Sequence, residues 1–301
     1  MGAFDTYLFV DFSARSTPSP ERPSEDAIWI GALRGEASDA HYFRTRARAM
    51  EFLCSRLREE VAGLRRVLVG LDFSFGYPAG FARALELHGP PWGAVSTLLS
   101  ALVEDGPDNR NNRYEVAGRL NARLGDGRGP FWGRPPARFD LQVRPRSPRF
   151  PFRCRGGEGL ERLRLCERRA SGVQEPWKLS GRGAVGSQML VGIPWLNRLR
   201  HAPGLARTGL IWPFETGFSA PRVRSGRPLL LYAESWPGLV RSRVSSQATI
   251  RDRAQVLALC RWAKAEDRAG RLDRLFRLPE KLGPRAERLC IAEEGWILGV
   301  P

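Results

Sequence analysis

Val67-Leu68-Val69-Gly70-Leu71-Asp72 is an almost wholly apolar run that ends in an acid. A strand with one wet face alternates apolar and polar residues, whereas an unbroken apolar run suits a strand covered on both faces, as at the centre of a parallel sheet. Just upstream, Met50, Leu53, Cys54, Leu57 and Val61 recur at helical spacing, with Arg and Glu between them. Before that helix lie three short β-type runs: Tyr7-Leu8-Phe9-Val10 ending in Asp11, Ala27-Ile28-Trp29-Ile30-Gly31, and His41-Tyr42-Phe43-Arg44. The breaks at 16–26 and 34–39 are rich in Pro, Ser, Gly and acidic residues, which are turn signals. The opening third therefore predicts an antiparallel meander, a helix and then a buried strand.

Downstream, residues 89–228 lose this regularity and are rich in Gly, Pro, Arg and Trp, with helix-like pieces near 94–104, 112–124 and 185–200. A free linker would not carry so many aromatics, so this stretch is expected to be a large insertion packed beside the sheet. The core resumes at Leu229-Leu230-Leu231-Tyr232-Ala233-Glu234, a second buried strand, followed by a helix over about 251–266 with Val256, Leu257, Cys260 and Ala263 on one side. The expectation is one α/β domain over 1–301, a mixed sheet with flanking helices and a central insertion at approximately 89–228.

The formal net charge is +16, from 48 Lys+Arg against 32 Asp+Glu, and only Lys178, Lys264 and Lys281 are lysines. An excess of this size points to an anionic partner, nucleic acid or a phosphorylated ligand, although the preference for Arg over Lys is also what a compositional bias produces. The five cysteines (Cys54, Cys154, Cys166, Cys260 and Cys290) are odd in number and contain no CxxC pair, which argues against a disulfide framework or a zinc site and for a reducing, cytoplasmic setting. No apolar run approaches the ~20 residues of a membrane helix. The opening MGAFDTYLFVDFSARS has no basic start and reads as a first strand rather than a signal peptide. His41, His88 and His201 are isolated, with no Ser-His-Asp or Cys-His arrangement to support a nucleophilic hydrolase.

Asp11 and Asp72 each terminate a strongly apolar strand, and each opens an Asp-Phe-Ser triplet (Asp11-Phe12-Ser13, Asp72-Phe73-Ser74). Ligands of α/β sheets bind outside the carboxyl ends of strands. If the two strands are neighbours, their carboxylates meet and repel, and a divalent cation would relieve that repulsion. Oxygen-only ligands suit Mg²⁺ or Mn²⁺. An aspartate at a strand end can also simply cap a turn; the repeated triplet favours a site. Glu234 ends the later strand, and Asp252 lies in the first turn of the following helix, where the dipole alone would favour an acid. Glu215, in Trp212-Pro213-Phe214-Glu215-Thr216-Gly217, is a rival fourth acid.

The order β-β-β-α-β opens RNase H-like folds and the actin-like sugar kinases alike. Val10-Asp11-Phe12-Ser13, Leu71-Asp72-Phe73-Ser74-Phe75-Gly76-Tyr77-Pro78, Ala233-Glu234-Ser235-Trp236-Pro237 and Arg251-Asp252 together resemble the uncharacterised bacterial predicted RNase H-like nucleases. The match covers about half the chain, at its two ends. The resemblance implies a nuclease-type fold with Asp11, Asp72, Glu234 and Asp252 as candidate catalytic acids, Asp11, Asp72 and Asp252 among them as metal ligands. Two departures are the large insertion and a last helix bearing Asp252 alone where many nucleases of this fold place two acids.

Within the insertion, Asp105-Gly106-Pro107-Asp108-Asn109-Arg110-Asn111-Asn112-Arg113 gathers groups able to hold phosphate or base edges, with Arg110, Asn112 and Arg113 as candidates; the same residues suit a turn and a helix cap. Gly181-Arg182-Gly183-Ala184-Val185-Gly186-Ser187-Gln188 enters a helix and can offer backbone N–H groups to a phosphate, but lacks the Gly-Lys-Ser/Thr of a P-loop. Ser13, Ser187 and Gln188 complete the substrate-binding candidates. The sequence thus predicts a metal-dependent phosphodiesterase acting on nucleic acid. The competing readings are an enzyme on a small phosphorylated or nucleotide ligand, and a non-catalytic nucleic-acid-binding protein.

Overall fold

The computed structural model describes residues 2–219, 221 and 226–301. Strands β1 (Thr6–Asp11), β2 (Ile28–Arg34) and β3 (Ala37–Phe43) form the meander, followed by helix α1 (Arg46–Ala62) and strand β4 (Arg66–Leu71). Short helix α2 (Phe81–Ala84) and helices α3 (Pro91–Leu102) and α4 (Arg113–Leu124) come next, then a two-stranded ribbon, β5 (Phe152–Arg153) with β6 (Gly159–Leu160). Helix α5 (Val185–Arg200), strands β7 (Gly209–Ile211) and β8 (Leu229–Glu234) and helix α6 (Arg251–Arg268) complete the main layers, with α7 (Leu272–Leu275) and α8 (Pro284–Leu289) beyond them.

The sheet has six strands in the order β3-β2-β1-β4-β8-β7. β1 runs antiparallel to β2, and β2 to β3, while β1, β4, β8 and β7 are mutually parallel. The chain is therefore α/β with a mixed sheet flanked by helices, as its sequence predicts. The central apolar run is β4, hydrogen-bonded on both sides and covered on both faces.

Strand alternation sorts the core into two layers. Tyr7, Phe9, Leu68, Leu229, Leu231 and Ala233 share one layer with α6, whose Val256, Leu259, Cys260 and Ala263 belong to the same cluster and which packs on β1 and β2. Leu8, Val10, Val67, Val69, Leu71, Leu230 and Tyr232 face α1 and α5, meeting Leu53, Leu57, Val191, Trp195 and Leu199. Gly31 of β2 lets α6 lie close, since a Cβ there would stand 2.9 Å from the Val256 carbonyl carbon.

The expected insertion at 89–228 is divided in the structure. Residues about α3, α4 and the β5–β6 ribbon form a third apolar cluster with Tyr77, Phe81, Phe131 and Trp177, whereas α5 is a layer of the main core and β7 is a strand of the main sheet. All five cysteines are free and buried. Among the described residues, no helix is long and apolar enough to cross a membrane.

Candidate active site

β1 and β4 are neighbouring parallel strands in a register that pairs Val10 with Leu71, so Asp11 and Asp72 leave the sheet side by side. The Asp72 N–H donates to the Val10 carbonyl at 3.3 Å, and the Phe12 N–H donates to Asp72 Oδ1 at 2.6 Å, which ties the two strand ends together. The following phenylalanines set the direction of the acids. Phe12 and Phe73 pack ring to ring at 4.9 Å in the layer beneath α5, so the residues preceding them turn to the α6 side. Gly192 of α5 permits this contact, for a Cβ would meet the Phe73 ring at 2.7 Å.

On the α6 side the two acids meet Asp252, in the first turn of that helix. Asp252 Oδ2 accepts the Asp26 N–H at 2.7 Å, and Asp11, Asp26, Asp72 and Asp252 line one cleft. Asp26 was not picked out by its sequence context, which reads as a turn. The signal available was topological: it directly precedes β2, whose antiparallel pairing sets Trp29 opposite Asp11.

Burial pushes the Asp11 carboxyl well above the usual range, and the Asp72 and Asp252 charges push it further. Burial raises Asp72 to about 7, although the Phe12 N–H and a hydrogen bond with Asp11 hold it back. Asp252 is also raised by burial, with the Asp26 N–H acting against the shift. Among the described residues no three His, Cys, Asp or Glu side chains form a ready-made metal shell. The donors are of the right kind for a hard divalent ion: Asp11 and Asp72 stand side by side and, among the described residues, neither forms an ion pair with a lysine or arginine.

The other wall of the cleft is made of donors. Ser13, Ala14, Arg15, Arg113, the Gly181–Gly183 turn with Arg182, Ser187 and Gln188 line it, enclosing about 680 Å³. α5 begins here with no side-chain cap, its Val185 and Ser187 N–H groups donating to the Gly183 and Ala184 carbonyls at 2.9 and 3.1 Å. Gly186 is needed at this turn, since a Cβ would lie 2.5 Å from the Pro176 carbonyl oxygen. Gln188 Nε2 donates to the Phe12 carbonyl at 2.8 Å, linking the two walls. Arg113 is buried and donates through Nε to Ser187 Oγ at 2.9 Å and through Nη1 to Ser16 Oγ at 2.6 Å and Asn111 Oδ1 at 2.7 Å. Its partners are neutral, and burial pulls its pKa down. With Asp11, Asp72 and Asp252 on one side and Ser13, Arg113, Ser187 and Gln188 on the other, most of the residues expected from sequence are in one place.

No protein-family model, curated protein or solved structure matches the chain.

Three expected groups lie elsewhere. Glu234 is paired in register with Leu71, one step before Asp72, so its side chain leaves β8 on the opposite face from the two aspartates. It is buried and receives Arg164 Nη2 at 2.5 Å, Arg164 Nη1 at 2.8 Å and the Phe75 N–H at 3.1 Å, which corrects its assignment as a reacting acid. Arg110 and Asn112 line a different depression. Asn112 Oδ1 accepts the Glu104 N–H and its Nδ2 donates to the Leu102 carbonyl, so it closes a turn instead of meeting substrate. The 105–113 loop is held from within by buried Arg46, which donates through Nε and Nη2 to Asp105 at 2.9 and 2.6 Å and through Nη2 to the Asn109 carbonyl at 2.8 Å. Glu215 is gripped by Arg200 through two hydrogen bonds of 2.9 Å and accepts the Ile211 N–H at 2.7 Å, clamping the end of β7.

Proposed function

We propose that the chain is a metal-dependent phosphodiesterase acting on nucleic acid, built on an RNase H-like scaffold related to the predicted nucleases its motifs resemble. The observation that carries this reading is the register of β1 and β4, which sets Asp11 and Asp72 side by side in a cleft whose opposite wall holds Arg113, Ser187 and Gln188. The strand order β3-β2-β1-β4-β8, with only the meander antiparallel, supports the scaffold.

Asp11 and Asp72 would hold Mg²⁺ or Mn²⁺, with Asp252 brought in from the start of α6. The ion would supply charge stabilisation for a phosphodiester and lower the pKa of water. The chain's own groups account for the rest. Arg113, already desolvated and without a carboxylate partner, is suited to grip a phosphate oxygen on the other wall. Ser13, two residues past Asp11, lines the same cleft and donates to the Asp26 carbonyl at 3.2 Å.

The test is cleavage of labelled single-stranded DNA and RNA by the purified chain, stripped with chelator and resupplied with Mg²⁺ or Mn²⁺. Asp11→Asn and Asp72→Asn should each lower cleavage by roughly a hundredfold or more, since even the outer partners of metal ligands cost 10–100-fold. Cleavage that survives both substitutions, or that ignores the chelator, would overturn the reading.

The cleft volume favours a second reading, a small phosphorylated or nucleotide ligand, because about 680 Å³ falls in the usual range for small-molecule sites. Tight calorimetric binding of a nucleotide by a chain that leaves DNA and RNA intact would select it. Nucleic-acid binding indifferent to metal and to both aspartates would instead mark a non-catalytic binding protein.

A further inference from the structure

The five arginines of one groove stand apart from the acidic cleft. Arg128, Arg144, Arg149, Arg153 and Arg155 are all exposed and line a groove of about 920 Å³ between the end of α4 and the β5–β6 ribbon. One acid, Asp126, lines it with them and pairs with Arg128 at 3.3 Å. Five to one far exceeds the 48 to 32 of the whole chain, so compositional bias towards arginine does not explain the groove. No carboxylate among the described residues pairs with Arg144, Arg149, Arg153 or Arg155, although exposed arginines elsewhere, such as Arg268 and Arg271, do find acids.

The groove is also shaped. Phe152, half-buried, forms part of its floor against Gly125 and Gly129, where a Cβ at Gly129 would meet the ring at 2.8 Å. The same helix joins groove and cleft: Arg113, at the start of α4, lines the cleft, and Gly125, just past its end, lines the groove. The 12 residues of α4 span about 18 Å at ~1.5 Å each, or about five stacked nucleotides at ~3.4 Å.

We infer that this groove is a docking surface for the sugar–phosphate backbone of a single nucleic-acid strand whose other end occupies the acidic cleft. The inference rests on the proposed reading for the identity of the strand, and it adds where the strand is held and how long it must be. Concave shape and an aromatic floor suit a strand better than the plane of a membrane, which would call for a flat basic face with protruding apolar side chains.

The experiment uses a groove variant with Arg144, Arg149, Arg153 and Arg155 all changed to Gln, and an equal-charge control with exposed Arg274, Arg277, Arg285 and Arg288 changed to Gln. Fluorescence anisotropy follows a labelled 20-nucleotide strand with metal chelated, so that binding is read whether or not the chain cleaves. The groove variant should lose at least tenfold in affinity, and its slope of log affinity against log salt should fall by about 2–3, at ~0.7 per lost phosphate contact. The control should change by less than half as much. A dinucleotide should be bound equally by wild type and groove variant, and the penalty should appear once the strand exceeds about five nucleotides. Equal losses in groove variant and control would reduce the effect to net charge and overturn the inference. So would unchanged strand binding accompanied by lost binding to phosphatidylserine vesicles. Failure of the Asp11 and Asp72 variants to affect cleavage would overturn the catalytic reading while leaving this binding result standing.

Discussion

Asp72 and Glu234 leave neighbouring parallel strands one register step apart, yet their surroundings differ in kind. Glu234 meets a buried arginine. Arg164 also donates through Nε to Glu167 at 2.7 Å and through Nη2 to Ser74 Oγ at 2.8 Å, so two buried carboxylates share one guanidinium. Nearby, Glu293 and Glu294 are capped by the N–H groups of Ala79, Gly80, Ala82 and Leu165. Among the described residues, Asp11 and Asp72 have no such cation. They have each other, one backbone N–H and an open cleft. An acid neutralised from within the chain holds the fold together, whereas acids crowded without a cation hold their protons to a higher pH.

Removing the internal cation gives the largest expected effect. Arg164→Met strands Glu234 and Glu167 in the core and should cost about 3–5 kcal/mol, enough to abolish folding in a marginal domain. Urea unfolding measures it, and a loss below ~1 kcal/mol would mean the network is not the brace it looks like.

The opposite sign is expected at the cleft. Asp72 titrates at about 7 in the folded chain against an ordinary 3.8, so folding takes up a proton between those values. Stability of metal-free protein is full below about pH 4 and should decline as pH rises through about 7. Asp72→Asn should make that decline shallower, Asp11 and Asp252 keeping the share that burial gives them, and gain on the order of 1–2 kcal/mol at neutral pH, the open side of the cleft moderating the effect. Thermal melts in chelator across this range are the check, and added Mg²⁺ or Mn²⁺ should stabilise wild type but not the variant. A wild type more stable at pH 8 than at pH 5 would contradict the account.

A smaller effect separates scaffold from site. Gly31→Ala must lift α6 away from β2, costing roughly 1–2 kcal/mol by overpacking. Because Asp252 rides on the first turn of α6, cleavage should fall more than stability alone accounts for. Equal metal affinity in variant and wild type, by calorimetry, would show that Asp252 takes no part. The smallest change is expected at Glu215→Gln, which loosens the partly exposed fork from Arg200 by under about 1 kcal/mol and should leave cleavage unchanged.

The fold was legible where periodicity is strong. The meander, α1, the two apolar strands, α4 and α5 fall where the sequence puts them, within a few residues. The extent of the insertion was not legible, because α5 carries apolar residues on nearly every side and β7 is a strand of three residues, too short to show a period. At the site, Asp11 and Asp72 could be read because each ends an apolar run. Glu234 ends one too, and misled for that reason: pairing register decides which face an acid takes, and register is not written in a single strand. The Asn- and Arg-rich loop misled through chemistry, since groups that bind phosphate also close turns, and here Arg46 and Asn112 use them for the latter.

The two margins of the sheet bear on how copies of this chain behave when crowded. β3 offers Asp39 and His41 along one margin, beside half-exposed residues, and β7 ends the other after only Gly209–Ile211, clamped by Glu215. Charged or stunted borders are poor templates for a foreign strand to zip onto. A molecule that leaves its cleft acids in mutual conflict is thereby shielded from a different hazard, recruitment into ordered aggregates when thermal motion loosens it.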